Sequence, residues 1–196
     1  MKIRTHIIEA ALLLALPSLA GAAVWEIDPG HSSAGFKVRH LMVSNVAGAF
    51  NKVSGSVVID EADVTRSTVE ATIDSSSIDT ANADRDAHLK SPDFFDVEKH
   101  PTITFKSKRV EKAGEGRLKV TGDLTLRGVT KEVILEVEGP IAPVTFGKSI
   151  KSGASATTKI NRQDFGVSWS RALEGGGLVV GDEVTINIEL ELVKKQ

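Results

Sequence analysis

Histidine and acidic residues raise the question of a metal site. His31 and His40 are nine positions apart, and an odd separation along one continuous strand places two side chains on opposite faces of the sheet. They are therefore not expected to share a metal ion. Asp84 and His88 stand at i and i+4, where they would meet on one helix face, but two ligands make a weak site. The sequence predicts no metal site.

Motifs that resemble catalytic signatures are incomplete. Residues 166–170, Gly-Val-Ser-Trp-Ser, approach the G-x-S-x-G nucleophile motif but end in Ser and lie in a strand context without a following helix. Residues 147–149, Gly-Lys-Ser, resemble the end of a phosphate-binding loop, yet Ala142 stands where the first Gly is required. His31 and Ser32 are sequence neighbours, which does not indicate a nucleophile–base pair. We expect neither catalysis nor a cofactor other than a bound ligand.

Composition narrows the class of protein further. The chain has 196 residues, a formal net charge of −2, 41% hydrophobic residues and no cysteine. This length fits one domain, or at most two small ones. The balanced charge argues against a nucleic-acid partner, which usually needs a basic face, and the lack of cysteine excludes disulfide scaffolds and cysteine nucleophiles.

Residues 1–22 have the features of a secretory signal peptide. Lys2 and Arg4 form a positive start, residues 10–16 form an apolar run, and residues 20–22, Ala-Gly-Ala, supply a small-residue cleavage pattern. A membrane-spanning helix needs roughly 20 apolar residues, and this run is about half that length. A cleaved signal is therefore the interpretation.

Cleavage after Ala22 or Ala23 would leave one domain over residues 23–196. We expect this domain to be periplasmic, without stable membrane insertion. An exported protein that lacks cysteine avoids oxidative pairing altogether, which suits that compartment.

Polar and apolar residues alternate along much of the remaining chain, a pattern typical of half-buried strands. It is clearest over residues 184–192, where Val, Ile and Leu alternate with Thr, Asn and Glu. Short connections between such segments favour antiparallel hairpins. The predicted strands include 24–28, 33–40, 55–60, 69–73, 102–110, 118–126, 133–137, 157–169 and 184–192.

Residues 80–90 lack this alternation and suit a short helix. Asp79 or Thr80 would cap its start, and Ser91-Pro92 would mark its end. The sequence thus predicts an all-β protein with about eight antiparallel strands and one short helix. Such strands form either a sandwich of two sheets or one closed barrel, and the alternation does not choose between them.

A series of motifs runs through residues 23–196. The motifs are Trp25–Asp28, His31-Ser32, Phe36–His40, Val46–Phe50, Asp84–Asp96, His100-Pro101, Leu124–Lys131 and Asn161–Gly166. Their order is more specific than any one of them, and it resembles the YceI-like family over essentially all of this range. The resemblance implies a lipocalin-like antiparallel β-barrel in the periplasm whose apolar lumen binds a long isoprenoid or similar amphipathic lipid.

The inward apolar side chains would form the walls of such a lumen, because apolar pockets hold their ligands mainly by burial. The candidates are inward positions of the alternating strands, with large aromatic residues among them. They are Phe36, Val38, Ile73, Phe105, Leu124, Leu126, Leu135, Phe165, Trp169, Ile186 and Ile188.

Polar candidates lie near the predicted helix and the first strands. They are His31, His40, Asp84, Arg85 and His88. For Asp84, Arg85, Asp86 and His88 the favoured role is to tether the helix across the barrel by hydrogen bonds, and the alternative is direct contact with a ligand head group.

Three functional classes follow from the sequence. The first is a non-enzymatic periplasmic carrier for an isoprenoid-type lipid, such as a polyprenol or a quinone tail. The second is a stress-response or interaction module with a solid core, and the third is a lipid hydrolase that depends on His31 or Ser32. The oligomeric state stays open, and a tail that protrudes from a barrel of this size would favour a homodimer.

Overall fold

The computed structural model describes residues 21–195. The predicted signal segment lies outside these residues except for its end, since Ala22 begins the first strand. Twelve strands occur in the described part of the chain. They are β1 (Ala22–Ile27), β2 (Ser33–His40), β3 (Ser44–Phe50), β4 (Val53–Asp60), β5 (Thr68–Asp74), β6 (Ile78–Asp79), β7 (Thr102–Lys112), β8 (Arg117–Leu126), β9 (Val129–Glu138), β10 (Val144–Phe146), β11 (Ser149–Asn161) and β12 (Val180–Lys194).

Eight strands close into an antiparallel barrel. Their order around the ring is β11-β9-β8-β7-β5-β4-β1-β12, and pairing of β12 with β11 completes it. The first part of β12 pairs with β2, and its last residues pair with β1. The hairpin of β2 and β3 therefore extends the barrel wall beyond β1 and β4. The prediction of an antiparallel β-barrel of about eight strands is confirmed.

Strand β12 shows why the alternating pattern produces a barrel wall. Val184, Ile186 and Ile188 face the interior, whereas Asn187 and Glu189 are exposed. Successive side chains on a strand point to opposite faces, so one apolar face is kept along the whole strand. Neighbouring strands in register add their own apolar faces to the same interior.

The predicted strand 157–169 is too long. Strand β11 ends at Asn161, whose side chain accepts a hydrogen bond from the backbone N–H of Gln163 and starts a 3-10 turn over Arg162–Phe165. Gly166 then ends the turn in the left-handed region, with φ of 74°. The side-chain capping of Asn161 competes with the ladder, and this local competition is invisible to a search for alternation.

Three strands were missed because they are short or lack the usual strand composition. β3 is rich in small residues, and β6 and β10 are only two and three residues long. The small residues of β3 permit close packing: a Cβ on Gly48 would lie 2.7 Å from Cζ of Phe36. It would also lie 2.6 Å from Cγ2 of Thr80 and 2.9 Å from the carbonyl oxygen of Asp79, so the close approach of neighbouring segments requires glycine here.

The short helix α1 spans Ala83–Lys90. Asn82 caps it by accepting from the N–H of Arg85, and the helix ends at Ser91 as expected. The predicted caps were wrong: Asp79 accepts from Ala81 instead, and Thr80 lies in the turn between β6 and α1. No helix in residues 21–195 is long and apolar enough to cross a membrane.

The barrel has two distinct ends. We call the end that carries α1, the β2–β3 turn and the start of β12 the α1 end. The opposite end, where β1 starts and the β10–β11 turn lies, is the Trp25 end. There Trp25, Ile27 and Leu192 are each at most 4% exposed, so their side chains pack tightly against the neighbouring strands.

Candidate functional site

A cavity of about 570 Å³ occupies the barrel interior. This volume falls within the range of about 300–1,000 Å³ typical of small-molecule sites. Inward side chains such as Leu135 and Ile186 are only half-buried, although they face the inside of a closed barrel. The interior is therefore hollow, and its walls are the apolar faces of the strands.

All but one of the predicted lumen residues border this cavity. Except for Trp169, they come from strands that are far apart in sequence, and ring closure brings them together. Their contact with a ligand stays a prediction. The residues are Phe36, Val38, Ile73, Phe105, Leu124, Leu126, Leu135, Trp169, Ile186 and Ile188.

Phe165 is the exception. It is 2% exposed and packs in the hydrophobic core at the end of the 3-10 turn, outside the set of residues that border the cavity. Its place among the lumen residues is corrected for a physical reason. The turn breaks the twofold alternation on which the assignment rested, and Val167 borders the cavity in its stead.

The rings of His88, Phe94 and Trp169 form a cluster at the α1 end of the cavity. The His88 ring lies edge-on to both aromatic rings, with centroids 5.0 Å from Phe94 and 5.2 Å from Trp169. Its Nε2 is 2.8 Å from a carboxylate oxygen of Asp93. Since aromatic pairs in this geometry attract each other, the cluster fixes Trp169, which lies outside any strand.

The charged and titratable residues that border the cavity all lie at its α1 end. The rest of the wall in the described part of the chain is built almost entirely from apolar residues. The cavity therefore has one polar end and a long apolar body. The polar-end residues are Arg39, His40, Asp84, Arg85, His88 and Arg162.

Arg85 tethers α1 to the turn that precedes it. Its Nε donates to Oγ1 of Thr80 and its Nη2 donates to the Thr80 carbonyl, both at 2.8 Å. Thr80 in turn donates to Asp86 from its hydroxyl and its backbone N–H. Thr80 is 6% exposed, so these hydrogen bonds are largely protected from water.

Replacing Thr80 by Ala should lower the free energy of unfolding by about 1–2 kcal/mol. The change removes the hydroxyl that both Arg85 and Asp86 use. Urea titration of both proteins measures the effect, with Thr68→Ala on an exposed part of β5 as control. Equal free energies of unfolding for the two variants would show that the hydrogen bonds of Thr80 do not stabilise the fold.

His40 and Asp84 differ from the other polar-end residues. Within residues 21–195 their side chains form no hydrogen bond or ion pair, whereas Arg39, Arg85, His88 and Arg162 all have partners. Both residues border the cavity. They are thus free to meet a polar group at this end.

Arg162 lies in the motif Asn161–Gly166 but was not among the predicted site residues. It is 5% exposed and donates to the carbonyls of Val167, Trp169, Val180 and Gly181, and to the carboxylate of Asp182. Burial lowers the pKa of its guanidinium, and the neighbouring Asp182 partly offsets this effect. A single arginine thereby joins the segment with Trp169 to the start of β12.

His31 lies outside the cavity, which corrects its place among the head-group candidates. It precedes β2, and its Nδ1 is 3.1 Å from Asp28 and 3.7 Å from Glu191. His40 lies at the other end of β2, so the two histidines are far apart along the strand. The ligand atoms of Asp28, His31 and Glu191 lie within 4.8 Å of one another, but the Lys151 ammonium already pairs with both carboxylates.

This surface cluster makes stability depend on pH. The hydrogen bond from His31 lowers the pKa of the Asp28 carboxyl, and the N–H of Gly30 adds to the effect. A carboxyl with a lowered pKa in the folded state stabilises the fold above its unfolded-state value of about 3.9, and this contribution disappears as the pH falls through the lowered value.

Asp28→Asn should therefore be less stable than the unmodified chain at neutral pH, and the difference should vanish in acid. Thermal unfolding of both proteins from neutral pH down to about pH 2 measures this. Asp164→Asn, at an exposed site, is the control. A stability gap that persists unchanged at the lowest pH contradicts the assignment to Asp28.

Comparisons with known proteins agree with the barrel. The YceI-like domain profile matches residues 25–192. A UPF0312 protein of Vibrio cholerae serotype O1 (strain M66-2) is 40% identical over 159 residues, which cover 80% of this chain and 84% of the relative. The resemblance that the sequence motifs indicated is confirmed.

Two solved structures share the fold. The YCEI protein of Campylobacter jejuni is 36% identical with a TM-score of 0.66, covering 82% of this chain and 91% of that one. A polyisoprenoid binding domain from Saccharophagus degradans is 17% identical with a TM-score of 0.63, covering 88% and 99%; at this identity the likeness shows the fold alone. The chain belongs to the family of YceI-like domains.

Proposed function

We propose that this chain is a non-enzymatic binding protein that carries an isoprenoid-type lipid, such as a polyprenol or a quinone tail, through the periplasm. The observation that carries the proposal is the hollow barrel, whose interior is apolar along its length and charged at one end. This distribution matches an amphipathic ligand with a long apolar tail and a small polar head. The periplasmic location rests on the signal-like segment at residues 1–22.

Burial of the tail supplies the affinity. Each buried CH₂ contributes roughly 0.8 kcal/mol, so one five-carbon prenyl unit offers about 3–4 kcal/mol. Eight units would sum to about 25–30 kcal/mol, beyond the ceiling of about 18–21 kcal/mol for non-covalent complexes. Ordering of the flexible tail must therefore offset much of the gain. We expect selection by length and girth rather than recognition of individual carbons.

The polar end of the cavity orients the ligand. His40 and Asp84 border the cavity there, and their side chains have no partner within residues 21–195. A hydroxyl or quinone head group placed between them would find a hydrogen-bond donor and an acceptor. The tail would then extend past Phe36 and Ile186 into the apolar body. A few polar groups that fix orientation beside apolar walls are typical of ligand sites.

The fold of this chain is compatible with the same ligand class. The domain from Saccharophagus degradans is described as polyisoprenoid-binding, and it shares the fold of this chain. The polar side chains at the end of the cavity are also consistent with binding. They are either hydrogen-bonded to structural partners or without a partner, and no nucleophile–base pair forms among the residues that border the cavity.

Organic extraction of the protein purified from its native host, followed by mass spectrometry, tests the proposal. We expect an isoprenoid-type lipid in near-stoichiometric amount, because a hollow apolar interior is not left filled with water when a suitable lipid is present. Extraction of an unrelated periplasmic protein from the same cells is the control. Repeated failure to recover lipid in a stoichiometric amount would contradict the carrier hypothesis.

A further inference from the structure

The turn between β2 and β3 presents three consecutive apolar side chains to solvent. We call Leu41–Val43 the apolar tip; its residues are 39%, 52% and 76% exposed. Scattered single apolar residues are normal on protein surfaces, but three in succession at the end of a projecting hairpin are not. The exposed apolar side chains of the tip therefore indicate a contact with a partner surface.

Hydrogen bonds hold the tip in an unusual backbone conformation. Leu41 and Met42 both have positive φ, 50° and 62°, which is uncommon and unfavourable for bulky residues. The N–H of Leu41 donates to the Val179 carbonyl at 2.9 Å, and Nη2 of Arg39 donates to the Met42 carbonyl at 2.8 Å. The fold thus stabilises a strained turn that keeps apolar side chains in water.

The apolar tip lies directly beside the polar end of the cavity. Residues 38–40 border the cavity and lead into the tip, and Val46 borders it on the strand that leads away. Val179, which accepts the hydrogen bond from Leu41, also borders the cavity. Any surface that contacts the tip is therefore next to the place where a ligand head group would sit.

Basic side chains flank the tip. Lys37 and Arg39 are exposed on β2, and Arg171 is exposed on the segment whose carbonyl binds the N–H of Val179. Glu174 is the acidic residue on that segment between Arg171 and Val179. Positive charge around an apolar patch is complementary to a bilayer that contains anionic lipids, since basic groups contact the head groups while apolar residues enter the interface.

We propose that the apolar tip is the site at which this protein docks on a lipid bilayer to load or release its ligand. The proposal rests on the carrier function proposed above. Docking is transient, because three apolar side chains bury too little surface for stable anchoring. A bilayer is favoured over a second copy of the chain by the basic flanks, which would repel each other across a symmetric interface.

The lack of cysteine allows a site-specific probe. Val43→Cys and Phe146→Cys place one polarity-sensitive fluorophore each at positions that are 76% and 77% exposed but lie at opposite ends of the barrel. Vesicles of phosphatidylethanolamine and phosphatidylglycerol should shift the emission of the Val43 probe to the blue and leave the Phe146 probe unchanged. Equal shifts at both sites, or a shift at Phe146 alone, would overturn the proposal.

Transfer kinetics provide the second measurement. Val43→Asp should slow uptake of a fluorescent geranylgeraniol from the same vesicles by about tenfold, equivalent to about 1.4 kcal/mol, without changing the amount bound at equilibrium; Phe146→Asp should leave the rate unchanged. Unchanged uptake by Val43→Asp would overturn docking. Docking would also be overturned if the Val43 probe shifted only when light scattering shows that the protein has formed dimers. Failure of the carrier function can be distinguished from failure of docking. It would appear as the absence of lipid in the extract, independently of any shift in probe emission caused by the vesicles.

Discussion

Ala156→Trp should abolish lipid binding while leaving the barrel folded. Ala156 borders the cavity on β11 and stands opposite Ile188 of β12 and Val137 of β9, which border it too. An indole at this position would occupy space in the lumen that the ligand tail needs. We expect the amount of lipid recovered by extraction to fall by tenfold or more, with a change of less than about 1 kcal/mol in the free energy of unfolding.

The adjacent residue offers a matched control. Thr157 is exposed on the outer face of β11, so Thr157→Trp adds the same side chain outside the barrel and should leave the bound lipid unchanged. A solid core makes the opposite prediction for Ala156→Trp, namely a loss of about 1–3 kcal/mol by overpacking. That result, combined with no lipid to displace, would favour the interaction-module alternative.

Arg162→Met should destabilise the protein strongly. The substitution keeps much of the side-chain length but leaves four backbone carbonyls without their donor, and the carboxylate of Asp182 without its cation. Loss of one partner from a buried charged network costs about 3–5 kcal/mol. Chemical denaturation monitored by circular dichroism should show this loss.

The same variant should alter the cavity. Without the guanidinium, the Trp169 carbonyl loses its donor, and the segment that carries Trp169 is no longer fixed to the start of β12. The fluorescence emission of Trp169 should therefore shift to the red, and the amount of lipid recovered should fall. Arg109→Met is the control, because Arg109 is exposed and pairs with Glu111 at the surface, where ion pairs contribute at most about 1 kcal/mol. Similar stability losses in both variants would contradict the role given to Arg162.

Much of the wall could be read from local patterns. Val184, Ile186 and Ile188 alternate with polar residues, and this period of two fixes which side of a strand is apolar wherever the strand runs. The helix near residues 80–90 was visible for a similar reason, since the alternation stops there. These properties depend on neighbours in sequence, and they hold before any tertiary contact forms.

Other parts of the site depend on contacts between distant residues. The turn capped by Asn161 removes Phe165 from the wall, and Arg162 acquires its role only because Val180 and Trp169 come within reach of its guanidinium. His31 joins Asp28 and Glu191 at the surface, although its sequence position beside β2 suggested the cavity. No local pattern encodes these partners.

The sequence by itself determined an antiparallel all-β chain with apolar strand faces and one helix, because side-chain periodicity is a local property of the backbone. Whether those faces meet as a sandwich or a barrel was left to the family resemblance. The tertiary structure alone decided that the ring closes through β11 and β12, that the enclosed faces stand too far apart to fill the interior, and that the charged groups gather at one end. Closure and volume depend on how strands distant in sequence pair and tilt, so no segment read alone contains them.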